Sequence, residues 1–205
     1  METKVKLSAN ELALVTNSDV ILTKNAIIGK VYTLFGQINV LLDAMIQQSG
    51  LAQAVPVQPA KIARGENYLG LPWVMLDSIR YFKQDAGIGI RILFWWGHFC
   101  SVTLQLNGRY VAQYVPAMQH YFAQQATQDW YINVPSDNAW QHHFEPANYR
   151  PLHPALLNGM ANQPFCKLAK KIPLEEWDNI EAFVLATCSQ MLQLLTRHPN
   201  GETNL

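Results

Sequence analysis

From Trp140 to Glu145 the chain reads Trp-Gln-His-His-Phe-Glu, two histidines and a carboxylate within six residues. Imidazoles and carboxylates are the side chains of metal coordination and of general acid–base work. If the segment is a strand, His143 and Glu145 share one face, and His142 joins Trp140 and Phe144 on the other. That supplies two ligands to a site that needs three or more. His98 and His153 are the candidates for a third. No HExxH or HxH spacing supports such a site, so neither a metal nor a cofactor is expected. Nucleophilic catalysis has no better footing. There is no GxSxG before a helix, and Ser101 and Thr103 alternate on a strand in the ordinary way. Cys100 falls at a core position, where a thiol stays protonated. Gly87-Ile88-Gly89 lacks the third glycine and the following helix of a dinucleotide site. No catalytic residue is therefore assigned.

The aromatic content says more. The chain has six tryptophans and eight tyrosines. Trp73, Trp95, Trp96, Trp130 and Trp140 all fall in or beside expected strands. An antiparallel sheet lined by tryptophan, with Arg64, Arg91 and His98 at its rim, suits a flat or anionic small molecule. The plainer alternative is that these rings fill the layer between sheet and helices. The candidate ligand-binding set is Arg64, Arg91, Trp95, Trp96, His98, His143 and Glu145. Two functions follow. One is a non-enzymatic binding or interaction protein with an aromatic-lined sheet surface. The other is a small-molecule enzyme with its site around His98, His143 and Glu145.

These residues depend on their elements for position. In residues 90–106 every even position except His98 is apolar, and the alternation keeps its parity through Gly97. A two-residue hairpin would break that parity. A single straight strand would span roughly 60 Å. The spacing therefore predicts a hairpin with a three-residue loop, Trp96-Gly97-His98, pairing Phe94 with Cys100 and Ile92 with Val102. His98 then lies at the tip.

Upstream, Ser8-Ala9-Asn10-Glu11 fits a capping box and Asn17 a second N-cap. Ile28, Val31, Phe35, Ile38, Leu42 and Met45, widened by Ile27, Leu34 and Leu41, give one long helix with a broad apolar stripe, ended by Ser49-Gly50. That stripe suits either a core helix or a dimer seam. Lys61–Arg64 reads as a short strand, Gly65–Gly70 as a polar loop and Pro72–Ile79 as a strand. Residues 109–125 read as a helix that Pro116 breaks or kinks. Trp130–Val134, Trp140–Glu145 and Phe165–Ile172 are strand candidates, with a short helix near His153–Met160. A last helix starts after Pro173 with Trp177, Ile180, Val184, Cys188, Met191 and Leu195 inward. The expected fold is α+β in a single domain, 1–205. A helical cover (1–50) and a C-terminal helix (173–197) flank an antiparallel sheet built from residues 60–145.

Composition excludes several classes. Fifteen basic residues balance fifteen acidic ones, so no net field draws nucleic acid or anionic lipid. Lys167, Lys170 and Lys171 form only a small basic cluster. Residues 26–46 are apolar but interrupted by Lys30, Gln37, Asn39 and Asp43, so no membrane span is expected. Three cysteines without CxxC and an N-terminus without an apolar run lead to a soluble, cytoplasmic protein. Low charge and zero net charge favour a homodimer.

The segments RGENYLGLPWVMLD, 64–77, and ILFWWGHF, 92–99, resemble a family of uncharacterised bacterial α+β proteins over most of residues 60–108. The resemblance implies a strand-rich middle flanked by helices and supplies no site residue.

Overall fold

The computed structural model describes residues 5–56, 58–83, 85–136 and 138–196. Helix α1 (Ala9–Val15) begins at the expected capping box, with Ser8 Oγ accepting from the Glu11 amide and the Glu11 carboxylate from the Ser8 amide. Helix α2 (Ser18–Ser49) is capped by Asn17 and stopped by Gly50 in the left-handed region. Its inward residues are Ile28, Val31, Phe35, Ile38, Leu42 and Ile46, so the stripe closes on Ile46 rather than Met45. A short helix, α3 (Leu51–Ala54), follows.

Four strands then form a meander: β1 (Lys61–Tyr68), β2 (Leu71–Lys83), β3 (Ala86–Trp95) and β4 (Phe99–Gly108). After α4 (Arg109–Gln124) come β5 (Tyr131–Asn133), β6 (Tyr149–Pro151), β7 (Phe165–Pro173) and α5 (Ile180–Thr196). The seven strands are ordered β1-β2-β3-β4-β7-β5-β6, with antiparallel neighbours throughout. The antiparallel sheet covered by N- and C-terminal helices is the α+β architecture read from the sequence.

The β3–β4 register is the expected one. Trp95 pairs with Phe99, Phe94 with Cys100 and Ile92 with Val102, leaving Trp96-Gly97-His98 as the loop. Gly97 takes a φ of 73°, which the turn needs. Even-numbered residues of β3 and β4 face α2, α4 and α5 and form the main core with Leu168, Val184, Cys188 and Met191. Burial pushes the Cys100 and Cys166 thiols up to about 12 and raises Cys188 as well, so all three cysteines are inert packing groups.

Several elements differ from the sequence reading. β1 runs on to Tyr68, and the hairpin turn is only Leu69-Gly70, both at positive φ. The Trp73 indole lies over Gly65, where a Cβ would come within 2.6 Å of it, so the glycine belongs to the strand and makes room for the ring. Pro116 sits inside α4 without ending it. The carbonyl that loses its partner is that of Ala112, an exposed residue where water can take the bond. The last helix opens with a 3₁₀ stretch, Leu174–Asn179, before α5. The end of the expected helix, Arg197, lies outside the described residues. Residues 140–145 are not a strand: that segment leaves the sheet and lies across its second face.

Phe94 is almost fully buried on the helix side, edge-on to Trp96 and to Trp177 at centroid distances of 6.4 and 6.3 Å. Phe94→Ala is expected to cost roughly 3–5 kcal/mol in a urea unfolding experiment. A cost near zero would contradict this packing.

Candidate functional site

Register sorts the candidate residues onto two faces. Arg64 stands opposite Val74, which points to the helices. Its guanidinium lies 5.9 Å over the Tyr32 ring of α2. Trp96 packs on Phe94 on that same side. Arg91 and Trp95, at odd positions, point to the opposite, far face. A seven-stranded sheet therefore separates Arg64 and Trp96 from the rest of the set.

On the far face, His98 stacks flat on Trp95, with ring centroids 3.6 Å apart, and remains exposed. The Trp95 indole N–H donates to the Tyr68 carbonyl at 3.2 Å. His143 is half-buried, and its Nδ1 accepts the Glu145 amide at 3.3 Å, while Glu145 itself is exposed. Residues 140–145 are not a strand, and the Glu145 amide turns back onto His143, so the alternation that would put His143 and Glu145 side by side does not apply. Among the described residues no three His, Cys, Asp or Glu side chains gather where they could hold a metal ion.

What the far face does assemble is a buried polar network that the sequence reading missed. Asp77 and Arg91 are cross-strand partners. Arg91 donates from Nε to Asp77 Oδ1 at 2.7 Å and from Nη2 to Oδ2 at 3.0 Å, the bidentate arrangement of a strong ion pair. Its Nη1 lies 3.0 Å from His142 Nε2. A guanidinium can only donate, so His142 Nε2 accepts and the ring is neutral with its proton on Nδ1. Burial first, and then the Arg91 and Lys167 charges, hold His142 down at about 3.

Lys167 is fully buried on β7. Its Nζ donates to the Gln141 carbonyl and to Asn148 Oδ1, both at 2.8 Å, and lies 4.8 Å over the Tyr149 ring. Burial, then the Arg91 charge, lowers it to about 8. The Tyr68 hydroxyl accepts from the amides of His142 and His143 at 2.7 and 3.1 Å. Asn148 Nδ2 donates to the His143 carbonyl at 2.5 Å, and Asn133 Oδ1 accepts the Lys167 amide at 2.7 Å.

These bonds share a purpose. The cover between β5 and β6 is irregular, so its backbone groups have no ladder to pair with. The sheet below must supply donors and acceptors. Lys167 and Tyr68 do so, Asn148 of the cover itself adds a bond to the His143 carbonyl, and Phe99, Phe144 and Tyr149 fill the space between. Gly87 and Gly89 belong to this face too: Cβ atoms there would lie 2.5 and 2.8 Å from the Phe82 ring, which packs edge-on to Trp140. The signal available beforehand was weak. An Asp and an Arg can be recognised as partners only once the register is known, and Lys167 reads as one of three surface lysines.

No family model, no curated protein and no solved structure matches the chain.

The network carries a pH signature. His142 titrates near 6.5 in an unfolded chain and at about 3 here. As pH falls, the unfolded state takes the proton first, so this contribution is complete above 6.5 and is lost between 6.5 and 3. It is on the order of 5 kcal/mol. Lys167, lowered from 10.5 to about 8, acts in the same sense in the alkaline range, with stability rising between those values. Urea midpoints of the native chain should therefore fall as pH drops below about 6.5, in line with the His142 reference value. His142→Gln, whose Oε1 can still accept from Arg91 but cannot titrate, should flatten the fall. An unchanged slope in that variant would assign the acid sensitivity elsewhere.

Proposed function

We propose that this protein is a non-enzymatic interaction protein that works as a homodimer, joined through its N-terminal arm and the outer side of α2. One observation carries the reading. Every residue from Val5 to Thr23 is exposed, although the arm carries Leu12, Leu14, Val15, Val20, Ile21 and Leu22. Helix α1 buries no residue, and seven residues are too few for a helix to hold in water without a surface to pack on. Contact with the body begins at Lys24, whose ammonium pairs with the Glu66 carboxylate.

The outer side of α2 continues the arm. Leu22, Ala26, Gly29, Thr33, Gly36 and Val40 recur at alternating spacings of four and three, roughly opposite the buried stripe. This is the spacing at which two helices seam together. Cβ atoms at Gly29 and Gly36 would meet nothing within 4 Å, so a second helix can approach closely there. A second copy suits this surface because a two-fold contact uses the same patch on both partners, and a chain of zero net charge meets no long-range repulsion from its copy. The aromatic sheet face is largely occupied by the chain's own cover, with Trp140, 52% exposed, and His98 at its edge. Among the described residues no helix is long and apolar enough to cross a membrane.

Sedimentation tests the reading. The expected species at about 10 μM, a concentration where an ordinary dimer is populated, has twice the 23.2 kDa chain mass. Leu22→Glu should give a folded monomer with an unchanged circular dichroism spectrum. A native chain that stays monomeric up to about 100 μM, an association weaker than roughly −5.5 kcal/mol, would overturn it.

A further inference from the structure

At the other end of α2 from the arm, an open cleft of about 530 Å³ separates the helix from the segment Gln58–Ala60 that leads into β1. Its polar lining is Asn39, Asp43, Gln47, Gln58 and Ser78. A β-bulge builds it. Asp77 pairs with Arg91 and Ile79 with Ile90, so Ser78 has no partner on β3, and the β1 ladder ends at the pair Lys61–Asp77. The extra residue brings Ser78 and Ile79 to the helix side together, beside Leu42 and Ile46. Ser78 is only 2% exposed, and its hydroxyl has no hydrogen-bond partner in the protein. Asn39 Oδ1, on the same cleft, is likewise buried without a partner, while its Nδ2 donates to Asp43 Oδ2 at 3.4 Å.

Buried polar atoms are normally paired, so two unpaired ones on one cleft mark a place where something else supplies the bonds. The chemistry of the lining selects what. Among the described residues that line the cleft, Asp43 carries the only charged side chain. Asp43 and Asn39 Oδ1 can only accept, whereas the Ser78 hydroxyl can donate or accept. One carboxylate with amide and hydroxyl oxygens is too few charges for a divalent cation. It matches a single ammonium group. We propose that this cleft binds a small primary amine bearing a hydroxyl, its ammonium held by Asp43 and Asn39 Oδ1 and its hydroxyl by Ser78. The cleft volume lies within the usual range for small-molecule sites. The inference rests on residues 39–47, 58–60 and 78, and the cleft adjoins the end of the proposed seam at Val40, so it is tested on the monomeric variant as well as on the native chain.

The test is a titration of the full-length ¹⁵N-labelled chain with ethanolamine at constant ionic strength, read by amide chemical shifts. Choline, which has the same charge but no N–H donor, and glycerol, which has hydroxyls but no charge, serve as controls. Ethanolamine should shift the amides of Asn39, Asp43, Gln58 and Ser78 saturably in the millimolar range, and the controls should not. Ser78→Ala and Asp43→Asn should each weaken binding at least about tenfold while leaving the rest of the spectrum in place. The proposal is overturned if no saturable shift occurs up to about 100 mM, the result expected of a cleft that holds only water. It is equally overturned if choline or glycerol matches ethanolamine, or if both variants bind as the native chain does. Repeating the titration on Leu22→Glu keeps its outcome separate from that of the dimer.

Discussion

A three-residue loop at Trp96-Gly97-His98 leaves Ile92 opposite Val102 and Phe94 opposite Cys100, and that parity decides which half of the sheet's side chains meet the helices. β2 is locked to β3 and β7 to β4 by the same pairing, so Val74, Leu76, Leu104, Leu168 and Ile172 all follow. A loop one residue shorter would turn one strand of this pair over relative to the other, putting either the Asp77–Arg91 pair or Lys167 into the apolar layer under the helices. The placement of Asp77, Arg91 and Lys167 on the far face follows from this register.

The two faces of the sheet are closed by different physics. On one, helices satisfy their own backbones and need only an apolar surface, so the sheet offers Ile, Val, Leu and Phe. On the other, an irregular segment lies flat and brings unpaired amides and carbonyls with it. An apolar sheet would leave those groups stranded at a cost of about 1–3 kcal/mol each. The polar side chains at the odd positions answer that need. Buried ion pairs are seldom a large source of net stability, because desolvation offsets the attraction. Here the charges fix one placement of the cover: Arg91, already held by Asp77 through Nε and Nη2, has its Nη1 aimed at His142.

The helix face was legible in the sequence because its information is periodic. The α2 stripe, the even positions of β3 and β4, and the capping residues Ser8 and Asn17 each announce themselves within a few residues of chain. The far face was not, because its information is relational. Asp77 means little until the bulge at Ser78 and the register put it beside Arg91. Lys167 sits between Lys170 and Lys171 in a segment that looks basic and wet, yet only Lys167 is on a covered part of the strand. His142 and His143 were visible as a pair, but the strand assumed for them assigned His142 to the wrong neighbours. Of the candidate set, Arg91, Trp95 and His98 do share the far face with the cover. Arg64 and Trp96 were grouped with them by composition alone.

Strongly perturbed ionisable groups are often taken as a sign of catalysis, and His142 and Lys167 are both well away from their ordinary values. The geometry points another way. A general base needs a lone pair free to meet a substrate proton, and His142 Nε2 already accepts from Arg91. A nucleophilic lysine needs an approach path, and Lys167 is sealed with its ammonium committed to Gln141 and Asn148. Both shifts arise chiefly from burial, which is the consequence of tying an irregular cover to a sheet with charged side chains. Two of the buried polar atoms left without a partner, Ser78 Oγ and Asn39 Oδ1, lie elsewhere, on the open cleft at the β2 bulge. The ion pair and the lysine thus account for how this chain closes over its far face, with no chemistry required of them.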